Sequence, residues 1–501
     1  DLGKSESLDL PAIESAIRAA STHEPTSFPL VTGPVNPKLN PAWTEHINRD
    51  RIYDFYTKQA IHFTASPEAR QATMLTSFPG LDGASYGHWG NQNEAFWQGN
   101  EMNQAVQGSV LCNVLSIAPR PIARAVCIRL GQTLSLSACF NPDTLAYEKL
   151  WTGGFVKFSN VRHGLMDGVR IEGTEKPLPA EAGPLREWMP QYSKSDIRYQ
   201  GYYVYENQVL FLYSIDGVDF IDAPIEQSGT LKRIVAPKST HPMRAMLKGG
   251  ASQWPQVLET DISLGDAKGF AVDTIALPLQ NPWNTLLYCG DHAFMQDGTA
   301  ILVTMQGDVW RVSGVAYDAQ SPNKPNKPNK KASWRRIASG LHQPLGVVVR
   351  GEQIYVLGRN QITRLHDLNG DGETDWYECY SNQFTTSPGG HDYICGLQQD
   401  QAGNFYTASG NEGVVQIAAD GKSSSVIATG LRNSDGLGIL PDGTVTVPAS
   451  EGDWTPTSMI YQIQPKSVSS SGEPIFETKP PAFCGYRGPR PGQEIQLPLL
   501  Y

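Results

Sequence analysis

The stretch from Ser387 to Gly452 reads SPGGHDYICGLQQDQAGNFYTASGNEGVVQIAADGKSSSVIATGLRNSDGLGILPDGTVTVPASEG, and it holds the same short unit twice. Each copy opens on an apolar run (Ile394 to Leu397; Leu437 to Leu440) and passes through a polar turn (Gln401-Ala402-Gly403-Asn404; Pro441-Asp442-Gly443). Each then continues in a β-rich run, Phe405-Tyr406-Thr407 or Thr444-Val445-Thr446-Val447. Proline presets φ and glycine accepts positive φ, so Pro-Asp-Gly between apolar runs marks a turn. Short strands recurring about every 40 residues predict propeller blades.

The unit recurs upstream. Asn281-Pro282-Trp283 leads to Phe294 and Gly298, then to Ala300–Thr304 and Gly307–Val312. Gln343-Pro344-Leu345-Gly346 leads to Val347–Val349, then to Gln353–Leu357 and Gln361–Leu365. This spacing places about four blades, five at most, in residues 266–501. Six blades ask for roughly 100 more residues. The expectation is therefore that C-terminal blades have been removed or left out, or that a second chain completes the ring.

At 501 residues the chain has room for two or three domains with their own cores. Its 48 Gly, 36 Pro and 20 Tyr suit a turn-rich β protein. A net charge of −10 without a long basic block argues against nucleic acid and acidic membrane surfaces as partners. No apolar run reaches the roughly 18 residues of a membrane span. The chain begins at Asp1, which reads as a mature or trimmed product without a visible signal peptide. The seven cysteines are scattered and include no CxxC pair, so they read as buried thiols with one or two bridges among them rather than a zinc site or a disulfide scaffold.

Residues 1–100 read as a helical and loop segment, with helices near Pro11–Ala20 and Arg51–Ala60. Met74–Glu94 is rich in Gly, Asn, His and Trp; it is either an Ω-type loop pinned by Trp89 or a sugar-binding surface. Residues 101–265 read as a β-sandwich-like domain, with strands near Ala125–Leu130, Leu134–Phe140 and Gly154–Phe158. A meander follows over Ile197–Ile221, turning at Glu206-Asn207 and Asp216-Gly217. Asn160–Gly164 holds a His–Arg pair, though a lone His at a strand end is more often structural. The alternating run Phe270, Val272, Ile275 and Leu277 reads as leading straight into the first blade. Ser321–Lys331, with proline every third residue, reads as a solvated insertion.

The sharpest chemical motif is DLNGDGETDWYE, Asp367 to Glu378. Asp367, Asn369 and Asp371 stand at positions one, three and five of a twelve-residue calcium loop. Gly372 stands at six, Asp375 at nine and Glu378 at twelve. The flanks are strand-like, so this is a calcium loop without an EF-hand; an acidic solvated turn is the alternative.

Residues 276–452 resemble the propeller of the soluble pyrroloquinoline-quinone (PQQ) sugar dehydrogenases. Through PGLDGASYGHWGNQNE, CFNPDTLAYEKLWTGGFVKFSNVRHGLMDG and GRNQITRLHDLNGDGETDWYE, nearly the whole chain resembles large secreted proteins of Planctomycetes and Verrucomicrobia. Those proteins join an N-terminal β domain to such a propeller, often with a haem-binding cytochrome region. The resemblance implies a secreted or periplasmic protein that oxidises a carbohydrate hydroxyl and passes electrons to a quinone, a haem or a cytochrome c. It further implies His391, ahead of Gly396-Leu397, as general base, and Arg432 with Asn433 as contacts for cofactor or substrate. Asp435 stands beside them where the family has an amide. The alternative is a non-catalytic glycan-binding or structural propeller with bound calcium. A hydrolase or lyase using the N-terminal domain ranks lower, because no carboxylate pair stands out.

Overall fold

A computed structural model of the chain describes residues 101–131, 133–159, 165, 167–265, 273–315, 331–390, 392–450, 458–470, 472–488 and 495–499. The segment 1–100, the His–Arg pair at 160–164, most of the 321–331 insertion and His391 lie outside the described residues. What is described is mainly β: a sandwich followed by propeller blades.

The first sandwich sheet is an antiparallel meander of β1 (Val110–Leu115), β2 (Ile122–Leu130), β3 (Leu136–Asn141) and β4 (Ala146–Thr152). A small pair, β5 (Val156–Lys157) and β6 (Arg170–Ile171), precedes β7 (Thr174–Glu175), which closes the sheet's edge. The second sheet is the predicted meander: β8 (Ile197–Tyr205), β9 (Gln208–Ile215), β10 (Val218–Gln227) and β11 (Thr230–Pro237). Its hairpins turn at Glu206 and Asp216, whose φ values of 51° and 49° are what tight two-residue turns require.

The two sheets meet face to face. Phe140 stacks on Phe211 with ring centroids 3.9 Å apart, and Tyr147 and Tyr202 meet the same ring edge-on. At the centre, Arg233 Nη2 donates to Asp222 at 2.5 Å, with both side chains fully buried. Asp222 also accepts from the Tyr147 and Tyr213 hydroxyls, and Arg233 donates to the Leu145 and Gly183 carbonyls. Two charges can occupy a core only when they are paired this completely.

Next come β12 (Val257–Ser263) and β13 (Thr274–Ile275). The sequence reading leads the run through Ile275 and Leu277 directly into the first blade. The structure instead makes β12–β13 an outer hairpin laid along the last strand of that blade, with Ile275 and Leu277 exposed. Alternation alone does not tell an outer strand from an inner one.

The first blade is β14 (Cys289–Phe294), β15 (Ala300–Thr304), β16 (Val309–Ser313) and β17 (Lys331–Ala338). The second is β18 (Gly346–Arg350), β19 (Gln353–Leu357), β20 (Ile362–His366) and β21 (Trp376–Ser381). The third is β22 (Ile394–Gln399), β23 (Phe405–Ser409), β24 (Gly413–Ile417) and β25 (Ser424–Thr429). The fourth has, among the described residues, three strands, β26 (Gly438–Ile439), β27 (Val445–Ala449) and β28 (Met459–Ile463). The leading strands β14, β18, β22 and β26 lie against one another in succession, as strands gathered round a propeller axis do. The approach is close: a Cβ on Gly346 would fall 2.7 Å from the Leu397 amide nitrogen. Apolar layers fill the space between blades; Leu357, Ile362, Phe405 and Val415 form the one between the second and third.

Sandwich and propeller share one sheet. β21, the last strand of the second blade, pairs with β8, so Trp376 faces Tyr203 and Glu378 faces Gly201 in an eight-stranded sheet. Stacked rings of Tyr203, Trp376 and His366 cross this seam at centroid distances of 5.2 and 4.4 Å. All seven cysteines are free, with Cys289 exposed and the rest buried. Among the described residues no helix is long and apolar enough to cross a membrane.

Candidate functional site

Each blade is preceded by a leading loop, and two of these loops share one frame. Gly340-Leu341-His342-Gln343-Pro344-Leu345-Gly346 ahead of the second blade matches Gly430-Leu431-Arg432-Asn433-Ser434-Asp435-Gly436 ahead of the fourth. The opening glycines have φ of 78° and 75°, and Gln343 and Asn433 have φ of 44° and 40°. The His342 carbonyl accepts from the Arg359 amide at 2.9 Å, and the Arg432 carbonyl accepts from the Ser450 amide at 2.8 Å. Both donors follow the second strand of their own blade. His342 and Arg432 therefore occupy equivalent places on one face, and Asp392 belongs to the leading loop of the blade between them.

Arg359 is buried beneath these loops. It donates to Gln343 Oε1 at 3.0 Å, to the Gly389 carbonyl at 2.6 Å and to the Ser387 carbonyl at 3.2 Å. Its Nε has no partner; neither do the two ring nitrogens of His342, the two carboxylate oxygens of Asp392 or the Ser434 hydroxyl. Buried polar groups without partners are rare, and several on one face call for an explanation. Burial, reinforced by the positive charges of Arg359 and Arg124, holds the His342 pKa well below the usual imidazole value. The ring is thus neutral, with one nitrogen donating and the other accepting. Burial likewise lowers the Arg359 pKa, opposed by Asp392. Cys395 offers no nucleophile, because burial pushes its thiol up to about 12.

Of the residues named from sequence, Arg432 and Asn433 lie half-buried, and Asp435 lies exposed, in the fourth leading loop. His391 lies outside the described residues. His342, Gln343, Arg359 and Asp392 are not among the residues that the sequence assigns to a site. The first two were within reach, through the repeat of GLHQPLG as GLRNSDG. Arg359 carries no local signal, because only the fold brings the turn after β19 beneath the loops.

The acidic loop joins β20 to β21. Asp367 accepts the Gly370 and Gly372 amides at 2.7 and 2.8 Å, Asn369 accepts the Asp371 amide at 2.9 Å, and Asp371 accepts that of Glu373 at 2.9 Å. Asp375 accepts the Leu368 amide at 2.7 Å and the Gly250 amide at 3.2 Å. Its pKa is raised by burial, and the Asp371 and Asp367 carboxylates add to the rise. Glu378 is placed differently from the twelfth position of a calcium loop. It sits on β21 opposite Arg364, two register pairs beyond the loop, and accepts from Arg364 Nε at 2.5 Å and His366 Nε2 at 2.7 Å. Burial pushes its pKa up, but these hydrogen bonds prevail and hold it below the usual range. For calcium the loop fits in part: Asp367, Asn369, Asp371 and Asp375 share one turn, while Glu378 is committed to Arg364 and His366. Among the described residues no group of three or more His, Cys, Asp or Glu is drawn together as a metal centre.

The family model described as "Domain of unknown function (DUF6797)" matches residues 138–222, within the sandwich. No curated protein matches the chain. Among solved structures the chain is similar to a Trichoderma reesei carbohydrate-active enzyme of family AA12, in its iodide structure. Identity there is 12%, with 47% of this chain and 61% of that one covered and a TM-score of 0.29. It is also similar to a putative oxidoreductase (glucose dehydrogenase) of Thermus thermophilus, at 12% identity over 70% of this chain and 94% of that one, TM-score 0.25. A third is the PQQ-bound aldose sugar dehydrogenase of Streptomyces coelicolor, at 10% identity over 72% and 94%, TM-score 0.24. The chain spans about six-tenths of the length of the Trichoderma structures it matches. At such scores these likenesses carry no argument about chemistry.

The quinone of the sugar dehydrogenases is a tricarboxylate and asks for several cations. The described residues of the three leading loops carry one Lys or Arg, Arg432. Arg359 beneath them already serves Gln343 and two carbonyls, and Asp392 and Asp435 add negative charge. These residues do not fit that cofactor.

Proposed function

We propose that the leading-loop face of the propeller binds a small hydroxyl-rich molecule of the sugar or polyol class, with Asp392 as its main acceptor. The observation supporting this is the buried Asp392 carboxylate, which has no hydrogen-bond partner. Leaving such a group unpaired costs about 1–3 kcal/mol or more, and a hydroxyl that donates to it relieves that cost. Hydroxyls both donate and accept, so neighbouring ones suit a carboxylate near the Arg359 guanidinium with a neutral imidazole on the same face. An apolar ligand would leave all these groups orphaned. An anion would meet Asp392 and Asp435, and a cation would meet Arg359. In this reading Arg432, Asn433 and Asp435 form the rim and His342 and Arg359 the floor.

The oxidative reading, in which His391 takes the hydroxyl proton and a partner accepts electrons, rests on the sugar-dehydrogenase resemblance. Calorimetric titration of the full chain with a panel of monosaccharides and disaccharides tests binding, and a dye-coupled oxidation assay on the same sugars tests turnover. Binding by the wild type that Asp392→Asn weakens about tenfold or more supports the proposal. A panel without heat, or an Asp392→Asn protein that binds as well, overturns it.

The acidic turn is proposed separately as a calcium site built by Asp367, Asn369, Asp371 and Asp375. Its support is the crowding of acids in one turn: burial raises the Asp375 pKa, and the Asp371 and Asp367 carboxylates add a repulsion that a divalent cation would relieve.

A further inference from the structure

We infer that Arg124, a residue of the sandwich, positions the leading loop that carries Asp392, so that sandwich and propeller build the site together; this rests on the sugar-binding reading above. Arg124 lies on β2, and its side chain reaches across to the segment 382–386. Nη2 donates to the Phe384 carbonyl at 2.5 Å and to the Asn382 carbonyl at 3.3 Å, and Nε donates to Thr386 Oγ1 at 3.2 Å. Nη1 is held from behind by Asp143 at 3.1 Å. Thr386 Oγ1 in turn donates to the Arg359 carbonyl at 2.6 Å. Farther along the same loop, Arg359 takes the Ser387 and Gly389 carbonyls.

Two guanidinium groups, one from each domain, thus grip a single loop from Asn382 to Gly389. The loop has no strand or helix of its own over these residues, and beyond Pro388 the pair Gly389-Gly390 has little intrinsic preference for one path. Its course is therefore set by side-chain contacts, the two arginines with five hydrogen bonds and Glu412 with one to the Thr385 amide. A planar fork that addresses two carbonyls at once fixes orientation as well as position, which a point charge cannot do. Attachment of the domains does not need this contact, because the β8–β21 ladder already joins them. The Arg124 side chain is 15% exposed and borders an open crease of about 440 Å³ between sandwich and propeller. Its charge also reaches His342 on the floor of the site.

The test uses the full chain with Arg124→Ala, Arg124→Lys and the milder Thr386→Val. Hydrogen exchange of amides in 382–392 should speed up about tenfold or more in Arg124→Ala and Arg124→Lys, while the β8 and β21 amides stay protected. Affinity for whichever sugar the wild type binds should fall about tenfold. In a double-mutant cycle, Asp392→Asn should cost less in the Arg124→Ala background than in the wild type. Unchanged exchange across 382–392, additive losses, or full rescue by lysine would overturn the inference. If no sugar binds the wild type, the sugar-binding reading falls and the exchange result alone decides whether Arg124 positions the loop. If Arg124→Ala does not fold, Thr386→Val must show faster exchange in 382–392 for the inference to stand.

Discussion

Replacing His342 by leucine should flatten the pH dependence of stability on the acid side of neutrality. The imidazole is fully buried, and neither of its nitrogens has a partner. Burial first, then Arg359 and Arg124, hold its pKa well below the ordinary value. An unfolded histidine titrates near about 6.5. Below that pH the unfolded chain takes up a proton that the folded chain refuses, so stability falls as pH falls. At pH 5.5, about one unit below the unfolded value, the loss is on the order of 1 kcal/mol, and it grows as pH falls further while the folded ring stays neutral. Leucine has a similar volume and does not titrate. In urea unfolding at pH 7.5 and 5.5, the wild type should lose on the order of 1 kcal/mol more than His342→Leu over this interval. The variant should be no less stable at pH 7.5, because no hydrogen bond has been removed. Equal pH slopes in the two proteins would refute the reasoning. So would a variant weaker by more than about 1 kcal/mol at pH 7.5, which would mean that the ring has a partner.

Three further outcomes are expected. Asp392→Asn should move the urea midpoint by no more than the equivalent of about 1 kcal/mol, since relief of a buried carboxylate without hydrogen-bond partners is offset by the lost attraction to Arg359; a larger drop would show a native hydrogen-bond partner. Arg233→Met should cost about 3–5 kcal/mol in chemical denaturation, because Asp222 stays buried without its cation; a loss under about 1 kcal/mol would mean that the pair is replaceable. Adding millimolar calcium to chelator-treated protein should raise the unfolding temperature, and Asp371→Asn should shrink that rise; identical melting with and without calcium removes the proposal for the acidic turn.

The blades were legible because their signals are local. Pro441-Asp442-Gly443 stops one strand and starts the next, and the runs Ala300–Thr304 and Gln353–Leu357 match β15 and β19 residue for residue. The meander over β8 and β9 was legible for the same reason, its turn residues accepting positive φ. The seam between β8 and β21 was not, since it joins Gly201 to Glu378 and the strand patterns on either side say nothing about each other. Glu378 shows the limit of spacing as a guide: loop numbering put it at a metal, whereas strand register put it opposite Arg364. In the site, Arg432 and Asn433 were read from a motif, while Asp392 stood out only once burial and missing partners could be seen together.

That contrast bears on why the leading loops are built as they are. Elsewhere this chain pairs its buried acids thoroughly. Asp222 is met by Arg233 and two tyrosine hydroxyls, and Asp308 is met by Arg336 and the Thr285 hydroxyl. Among the described residues Asp392 is the buried carboxylate with both oxygens unpaired, and it sits on the same face as a histidine with both nitrogens unpaired. A fold able to satisfy such groups in two other places is not short of means to do so here. Unpaired groups persist where surrounding structure holds them for another use, and they concentrate at functional sites. The surrounding structure here is the loop gripped by Arg124 and Arg359 and the floor formed by the second blade. The pairing that Asp392 lacks within the chain is the interaction a hydroxyl-bearing ligand would bring, so stability forgone in the free protein returns as affinity in the complex.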